Sequence, residues 1–462
     1  MAKQLQGLFV KIMNYIVYFI LIFLTTYTDS FLTPYMGAFG FSLLPTLSYL
    51  LFFIRFVLGK RKRYKHPFPV FFSRIINYSF GLSIIVYIVF LSLKMETTYY
   101  GEDLFFKAIR LYVTYMGYVL FLYVMVDIIR DMRTEDIFKP FFYVNVFLAV
   151  FGVLEYNQLP HAFISLHNYG FSDTYYRVRL LTQESSHTAP LIEIFFLMSA
   201  FYSLFIKKSK FFFYITLACL LVQISITSSK LFMVVLGVSL VYGMWETLKA
   251  SKHKFLIMIG AFTMLLLFYQ YIYVGLEEAF QGDINDSTST ATRSTSNISG
   301  YLMGLTIPCG VGFGGYLYFL PKYILFVTEK LSSNLDTSEI MYMIHSRNDK
   351  SLAAQSFFAQ SSTYWGCIGV VLFVRQLLRL FRNFLSCVNP KHKALFKTAF
   401  CVILVNLSIA MGLEFIYLAV FAIAIHITKL KINIKKDENC LLMPRDASPS
   451  RYGRSYWLLQ KA

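Results

Sequence analysis

The run Leu104-Phe-Phe-Lys107-Ala-Ile-Arg110-Leu-Tyr-Val-Thr-Tyr-Met-Gly-Tyr-Val-Leu-Phe-Leu-Tyr-Val-Met-Val-Asp127-Ile-Ile129 reads as one membrane-crossing helix. Nothing between Arg110 and Asp127 carries a charge, and a helix of this length spans the ~30 Å hydrocarbon layer of a bilayer. Lipid offers no partner to backbone N–H and C=O groups, so a crossing segment must satisfy them within itself, as a helix does. The alternating ten-residue pattern of an outer-membrane barrel is absent.

The same reading extends in both directions to about twelve apolar blocks of comparable length. They run Leu8 to Tyr27, Met36 to Leu58, Val70 to Leu93, Leu104 to Ile129, Phe138 to Tyr156, Thr188 to Ile206, Phe211 to Ile226, Leu231 to Leu248, Phe255 to Gly275, Leu352 to Val374, Leu395 to Ala410 and Leu413 to Ile427. The last two are short enough to form a re-entrant hairpin. Composition agrees: 57% of the 462 residues are hydrophobic and only 15% charged, with 48 Phe and 34 Tyr, which excludes an ordinary soluble domain. The expected fold class is all-α, a polytopic membrane bundle. Residues 1–436 form one transmembrane domain, and the polar residues 437–462 form a tail. The first apolar segment has no small-residue cleavage site and is expected to stay as a helix. Internal repeats of the transporter kind are not visible.

Lys and Arg set the orientation, because they are retained on the cytoplasmic side. Lys60 to Lys65, Arg130 to Lys139, Lys207 to Lys210, Lys249 to Lys254, Arg375 to Lys393 and the residues from Lys429 all fall on one face under this topology. Both termini are then cytoplasmic. The opposite face receives Asp29 to Pro34, Lys94 to Asp103, and two long loops at 157–187 and 276–351. The formal net charge of +18 is accounted for by these topology signals and by anionic lipid; without a basic domain or recognition fold it does not imply nucleic acid. The six cysteines imply neither a disulfide framework nor a metal site.

The first long loop ends in Arg177-Val178-Arg179-Leu180-Leu181-Thr182-Gln183-Glu184-Ser185-Ser186-His187. Charges at a bilayer edge are costly unless they pair, reach water or hold a ligand. Arg177 and Arg179 share a side in an extended segment; Arg177 and Glu184 lie two turns apart on a helix. Guanidinium forks suit phosphate oxygens, and the plainer reading is an Arg–Glu pair that stitches the loop down. In the second loop, Arg293 lies within a Ser/Thr/Asn-rich stretch, Gly282 to Gly300. It is followed by Pro308-Cys-Gly310-Val-Gly312-Phe-Gly314-Gly315, which either cradles phosphate or turns the chain against the membrane. Lys107 and Arg110, three apart on one helix side, and Lys230 at a span start are further cations for one cavity; snorkelling is the alternative for the first two. His345 is a candidate base. His187 and Glu193 are open in role, and Asp127 and Glu155 read as interfacial.

These segments resemble, in their order, Wzy-type O-antigen polymerases and the wider polymerase and ligase superfamily. Arg177 with Glu184-Ser185-Ser186 is similar to the Arg and Glu-(Pro/Ser)-Ser signature, and Ser229-Lys230 to the Ser-Arg or Ser-Lys at a span start. Arg293 with Gly304 resembles an Arg-X10-Gly pattern, Pro308 to Gly312 a Pro-X-Gly-Val-Gly segment, and Trp365-Gly366-Cys-Ile-Gly369 a Gly-Ile-Ile-Gly helix entry. The chain departs from the pattern in having Lys at 230, no second Arg-X10-Gly, and only His345-Ser346 as an echo of a ligase motif.

The resemblance implies a GT-C-like bundle in the bacterial inner membrane. It would join undecaprenyl-pyrophosphate-linked repeat units into O-antigen or capsule-like polysaccharide at the periplasmic face. A chain-length regulator and a flippase are the implied partners, beside membrane lipids. No cofactor or metal is required. Arg177, Arg179 and Arg293, assisted by Lys230, Lys107 and Arg110, would hold the pyrophosphate. Glu184 would either take the acceptor's proton or orient the arginines, with His345 as the reserve base. A glycan ligase, and from another class a flippase for lipid-linked sugar, are the alternatives.

Overall fold

A computed structural model describes residues 2–33, 42–57, 66–159, 161–167, 178–182, 185–227, 230–250, 288–331, 338–345, 353–409 and 412–440. The chain begins with helix α1 (Ala2–Leu24), then α2 (Leu44–Val57), α3 (Pro67–Ser92), a hairpin of β1 (Thr98–Tyr99) and β2 (Glu102–Asp103), α4 (Leu104–Ile129) and α5 (Thr134–Tyr156). It continues with α6 (Ser185–Phe201), which runs into a π-helical turn at Tyr202–Ile206, then α7 (Lys210–Ile226) and α8 (Lys230–Ala250). The last group is α9 (Thr288–Thr306), α10 (Gly312–Leu331), α11 (Ser338–His345), α12 (Phe357–Leu385), α13 (Pro390–Ile409) and α14 (Phe415–Cys440). The expected span Phe255 to Gly275, the basic run Lys60 to Lys65 and residues 441–462 lie outside the described residues.

Among the described residues, five helices (α3, α4, α5, α12 and α13) are long and apolar enough to cross a membrane. Their outer faces have the polarity that lipid demands. On α3, Ile85, Ile88 and Leu91 are each more than half exposed, an arrangement that water would penalise and hydrocarbon would not. Helix ends are fixed by ordinary caps. Asp103 Oδ1 accepts the N–H of Phe105 at 2.9 Å and of Phe106 at 3.2 Å, so α4 starts one residue after the last charged group of the hairpin. His66 caps α3, with Pro67 at its first position, and Ser356 caps α12.

Helix α4 lies at the centre, against α1, α2, α3, α10 and α14, while α5 packs with α1, α6 and α7, and α13 with α6, α8 and α12. The core between α3, α4, α10 and α12 is aromatic. Tyr115 stacks on Phe313 at 5.2 Å and meets Tyr364 and Trp365 edge-on, and Phe68 and Phe72 pack on Phe373.

The two ends of the bundle differ in charge. The lower end gathers the basic groups: Arg55 and Arg130 meet on Asp127, and Lys249 and Lys397 meet on Glu246. Lys429 lies within electrostatic reach of Arg130 and His66, and Lys391 and Lys208 both face His392. Basic segments far apart in sequence thus share one end. The upper end holds Asp29, the β1–β2 hairpin and Glu155.

The region 276–351, expected as an outer loop, differs most from its sequence reading, because it contains α9, α10 and α11. Hydropathy passes over α9, which is rich in Ser and Thr. These hydroxyls turn inward on their own helix: Ser299 donates to Thr295 O and Thr306 to Leu302 O. The small side chains then let α9 approach α12 closely, with Ser362 Oγ donating to Gly300 O at 2.5 Å.

Candidate functional site

The Pro308 to Gly312 turn connects α9 to α10 deep within the bundle. It reaches Ser79 and Ser83 of α3 and the Thr363 to Gly366 segment of α12. Tyr115, which stacks on the adjoining Phe313, lies about 16 Å along α4 from its upper start. A turn at such depth needs partners for its backbone; Gly310 N–H finds Ile307 O within the turn, and the others come from neighbouring helices. Val311 N–H donates to Thr363 O at 3.0 Å, Ser83 Oγ accepts Phe313 N–H at 2.7 Å, and Tyr78 OH donates to Cys309 O at 3.0 Å. Glycine is required at Gly310, Gly312 and Gly366. Gly312 has φ +74, and a Cβ there would sit 2.5 Å from Ser83 N; Gly366, with φ +68, faces Pro308 O so closely that any Cβ would overlap it. Of the two readings of the glycine run, the described contacts are those of a turn seated against α3 and α12.

The second constellation lies at the upper end. Glu155, in the last turn of α5, is 1% exposed. Its Oε1 accepts the Arg179 N–H at 2.9 Å and its Oε2 accepts the Leu180 N–H at 2.8 Å. Both carboxylate oxygens therefore hold the main chain beneath the arginine, as an anion does at a nest of amides. Leu180 takes φ +51, Thr182 donates from both N and Oγ1 to Arg179 O, and Leu181 O accepts Thr28 N–H at 3.0 Å. Arg179 itself is 4% exposed. Glu155, read from sequence as interfacial, is a buried clamp.

Beside this clamp, Asp29 and His167 form a pair in which neither side chain is exposed. His167 Nδ1 lies 2.9 Å from Asp29 Oδ2. Tyr27 OH donates to Leu166 O at 2.6 Å, so the residues flanking the pair are tied as well. Asp29 Oδ1 and His167 Nε2 are buried without a hydrogen-bond partner among the described residues. A third carboxylate, Glu193 of α6, is buried with neither oxygen partnered among the described residues, and His187 Nδ1 stands 3.5 Å from Glu414 Oε1.

The remaining sequence candidates that are described lie on different elements. Arg293 is half-buried on α9 beside Thr292, whose hydroxyl donates to Glu339 of α11 at 2.8 Å. Helix α9, which carries Arg293, packs on α10, α11 and α12, whereas the main chain from Arg179 to Leu181 is held from α5 and from Thr28 beyond α1. Lys107 and Arg110 part company: Lys107 is 8% exposed, but Arg110 turns outward and pairs with Glu102 at 2.8 Å. His345 ends α11 exposed, with Nδ1 donating to Met341 O at 2.7 Å. Lys230 is the first residue of α8. Arg177 and Glu184 lie outside the described residues.

Sequence inspection missed Asp29, His167 and the clamp role of Glu155. The available signal was the scarcity of acids near the upper ends of spans. Pairing Asp29 with a histidine 138 residues away needs the fold. Among the described residues, no group of three His, Cys, Asp or Glu side chains is arranged to hold a metal ion. A comparison with family models finds no match for this chain, and comparisons with curated proteins and with solved structures find none either.

Proposed function

We propose that this chain is a membrane glycosyltransferase of the polysaccharide-polymerase kind. It transfers a growing glycan from undecaprenyl pyrophosphate to a sugar hydroxyl on the next lipid-linked repeat unit. In this reading about twelve spans set the basic end in the cytoplasm, and the upper end faces the periplasm of the inner membrane. The observation that carries the proposal is Arg179. A cation sequestered at the bundle end, with its main chain held by Glu155 and α1, is organised before substrate arrives. Charge grows on the departing pyrophosphate in the transition state, and a cation already in position stabilises it without reorganisation.

The order of the motifs supports the same reading, with Arg177 and Arg293 as further pyrophosphate ligands and Lys107, Arg110 and Lys230 as lesser ones. Arg110, being paired with Glu102, is the weakest of these. Glu184 and His345 are the sequence candidates for the base. Neither Asp29 nor His167 enters this assignment.

Purified protein incubated with lipid-linked repeat units, extracted from a host lacking this gene, tests the proposal. A ladder of lengthening glycan is expected. Arg179→Ala and Arg293→Ala should each abolish it while the proteins remain in the membrane fraction. Transfer to a lipid A core acceptor without a ladder identifies a ligase, and unchanged substrate crossing the bilayer identifies a flippase.

A further inference from the structure

We infer that His167, oriented by Asp29, is the base that removes the proton from the acceptor sugar hydroxyl. This rests on the glycosyl-transfer reading above and adds a residue pair that the motif resemblance does not contain. The argument begins with hydrogen-bond arithmetic. An ionised carboxylate only accepts, so the 2.9 Å contact fixes the proton on Nδ1 and leaves the Nε2 lone pair bare. That nitrogen is buried and meets no donor among the described residues. A buried acceptor left unmatched costs about 1–3 kcal/mol, and a ligand hydroxyl is the kind of donor that would match it.

Two other histidines, His345 and His187, fit less well. His345 is exposed and its Nδ1 faces a neutral carbonyl rather than a carboxylate that would stabilise an imidazolium, and His187 stands 3.5 Å from its carboxylate. His167 is also the histidine tied to the arginine clamp, since Thr28 N–H binds Leu181 O and Tyr27 OH binds Leu166 O. The step balances. The acceptor O–H bond breaks and its proton passes to His167 Nε2 while the oxygen forms the new bond to the anomeric carbon. The bond from that carbon to the pyrophosphate oxygen breaks, and its electron pair leaves with undecaprenyl pyrophosphate. Asp29 faces the imidazolium that results, and water later takes the proton.

The test uses full-length protein in nanodiscs with the extracted repeat units. His167→Gln is expected to lower kcat by about 10²–10⁴ with KM changed less than about threefold. Asp29→Asn, which would present an amide N–H to Nδ1 and favour the other tautomer, should lower kcat similarly, and Asp29→Glu should restore part of it. Wild-type kcat in a folded His167→Gln variant overturns the assignment, as does equal loss in Asp29→Asn and Asp29→Glu. Should His167→Gln fail to fold, diethyl pyrocarbonate labelling of the wild type decides. Labelling of His167 that the repeat units suppress supports the base role, and a His167 that never labels while His345 does refutes it. If the wild type makes no ladder at all, the glycosyl-transfer reading itself has failed, a result distinct from a ladder that survives His167→Gln.

Discussion

The two ends of the bundle use charge in opposite ways. At the lower end, the cations Arg55, Arg130, Lys249 and Lys397 stay partly exposed and converge on two carboxylates, Asp127 and the buried Glu246. At the upper end, Glu155, Arg179, Asp29 and His167 are buried, and the carboxylates are spent on holding backbone and an imidazole. Partly exposed cations gain little from close pairing, so loose pairing suffices there. Buried polar groups must be matched or they cost stability, and His167 Nε2, which has no hydrogen-bond partner among the described residues, is the atom on which the proposed base role rests.

The comparison breaks first at the deep turn that lies between the ends. Gly366→Ala forces a Cβ into Pro308 O at a positive φ, and more than about 4 kcal/mol of destabilisation is expected. Little folded protein should accumulate in membranes, as measured by fluorescence-detected gel filtration. Glu155→Ala comes next, stranding two buried N–H groups at about 1–3 kcal/mol each. The protein should still be recovered, with a lower melting temperature and loss of the glycan ladder. An unchanged melting temperature would show that the clamp is dispensable.

Lys397→Ala at the lower end should cost less than about 1 kcal/mol, since the buried Glu246 carboxylate keeps Lys249 as its partner and Lys397 itself is partly exposed. A larger loss would erase the distinction between the ends. The smallest effect is expected at His66. Burial, and secondarily Lys429, lower its pKa to about 4 from 6.5, so the folded state prefers the neutral ring that caps Phe68 N–H. The associated stability is complete above about 6.5 and declines as pH falls toward about 4. His66→Asn keeps a cap and cannot titrate, so it should flatten that part of a melting-temperature profile.

The sequence anticipated much of the helical frame because apolar runs were long and uninterrupted. Leu104–Ile129 is helical between those same residues, since Asp103 is both the last charge of the hairpin and the cap. It did not anticipate α9, whose Ser and Thr side chains look like loop until they are seen bonding their own carbonyls and packing on α12. At the site, the clustering of charge between residues 177 and 187 drew attention to Arg179. Glu155 was passed over because its partners are backbone amides, which leave no mark in a sequence. Lys107 and Arg110 were grouped by helical spacing, but Glu102 on the hairpin draws Arg110 away.

Hydropathy and the placement of Lys and Arg by themselves determined that the chain is a helical bundle of membrane-protein character, with its basic segments gathered at one end. Both are local or additive properties of the chain, readable residue by residue. Only the tertiary structure decided that Pro308 to Gly312 is buried against Ser83 and Gly366, and that Asp29 faces His167. Those contacts depend on distances of a few ångströms between segments remote in sequence, and no local preference encodes them.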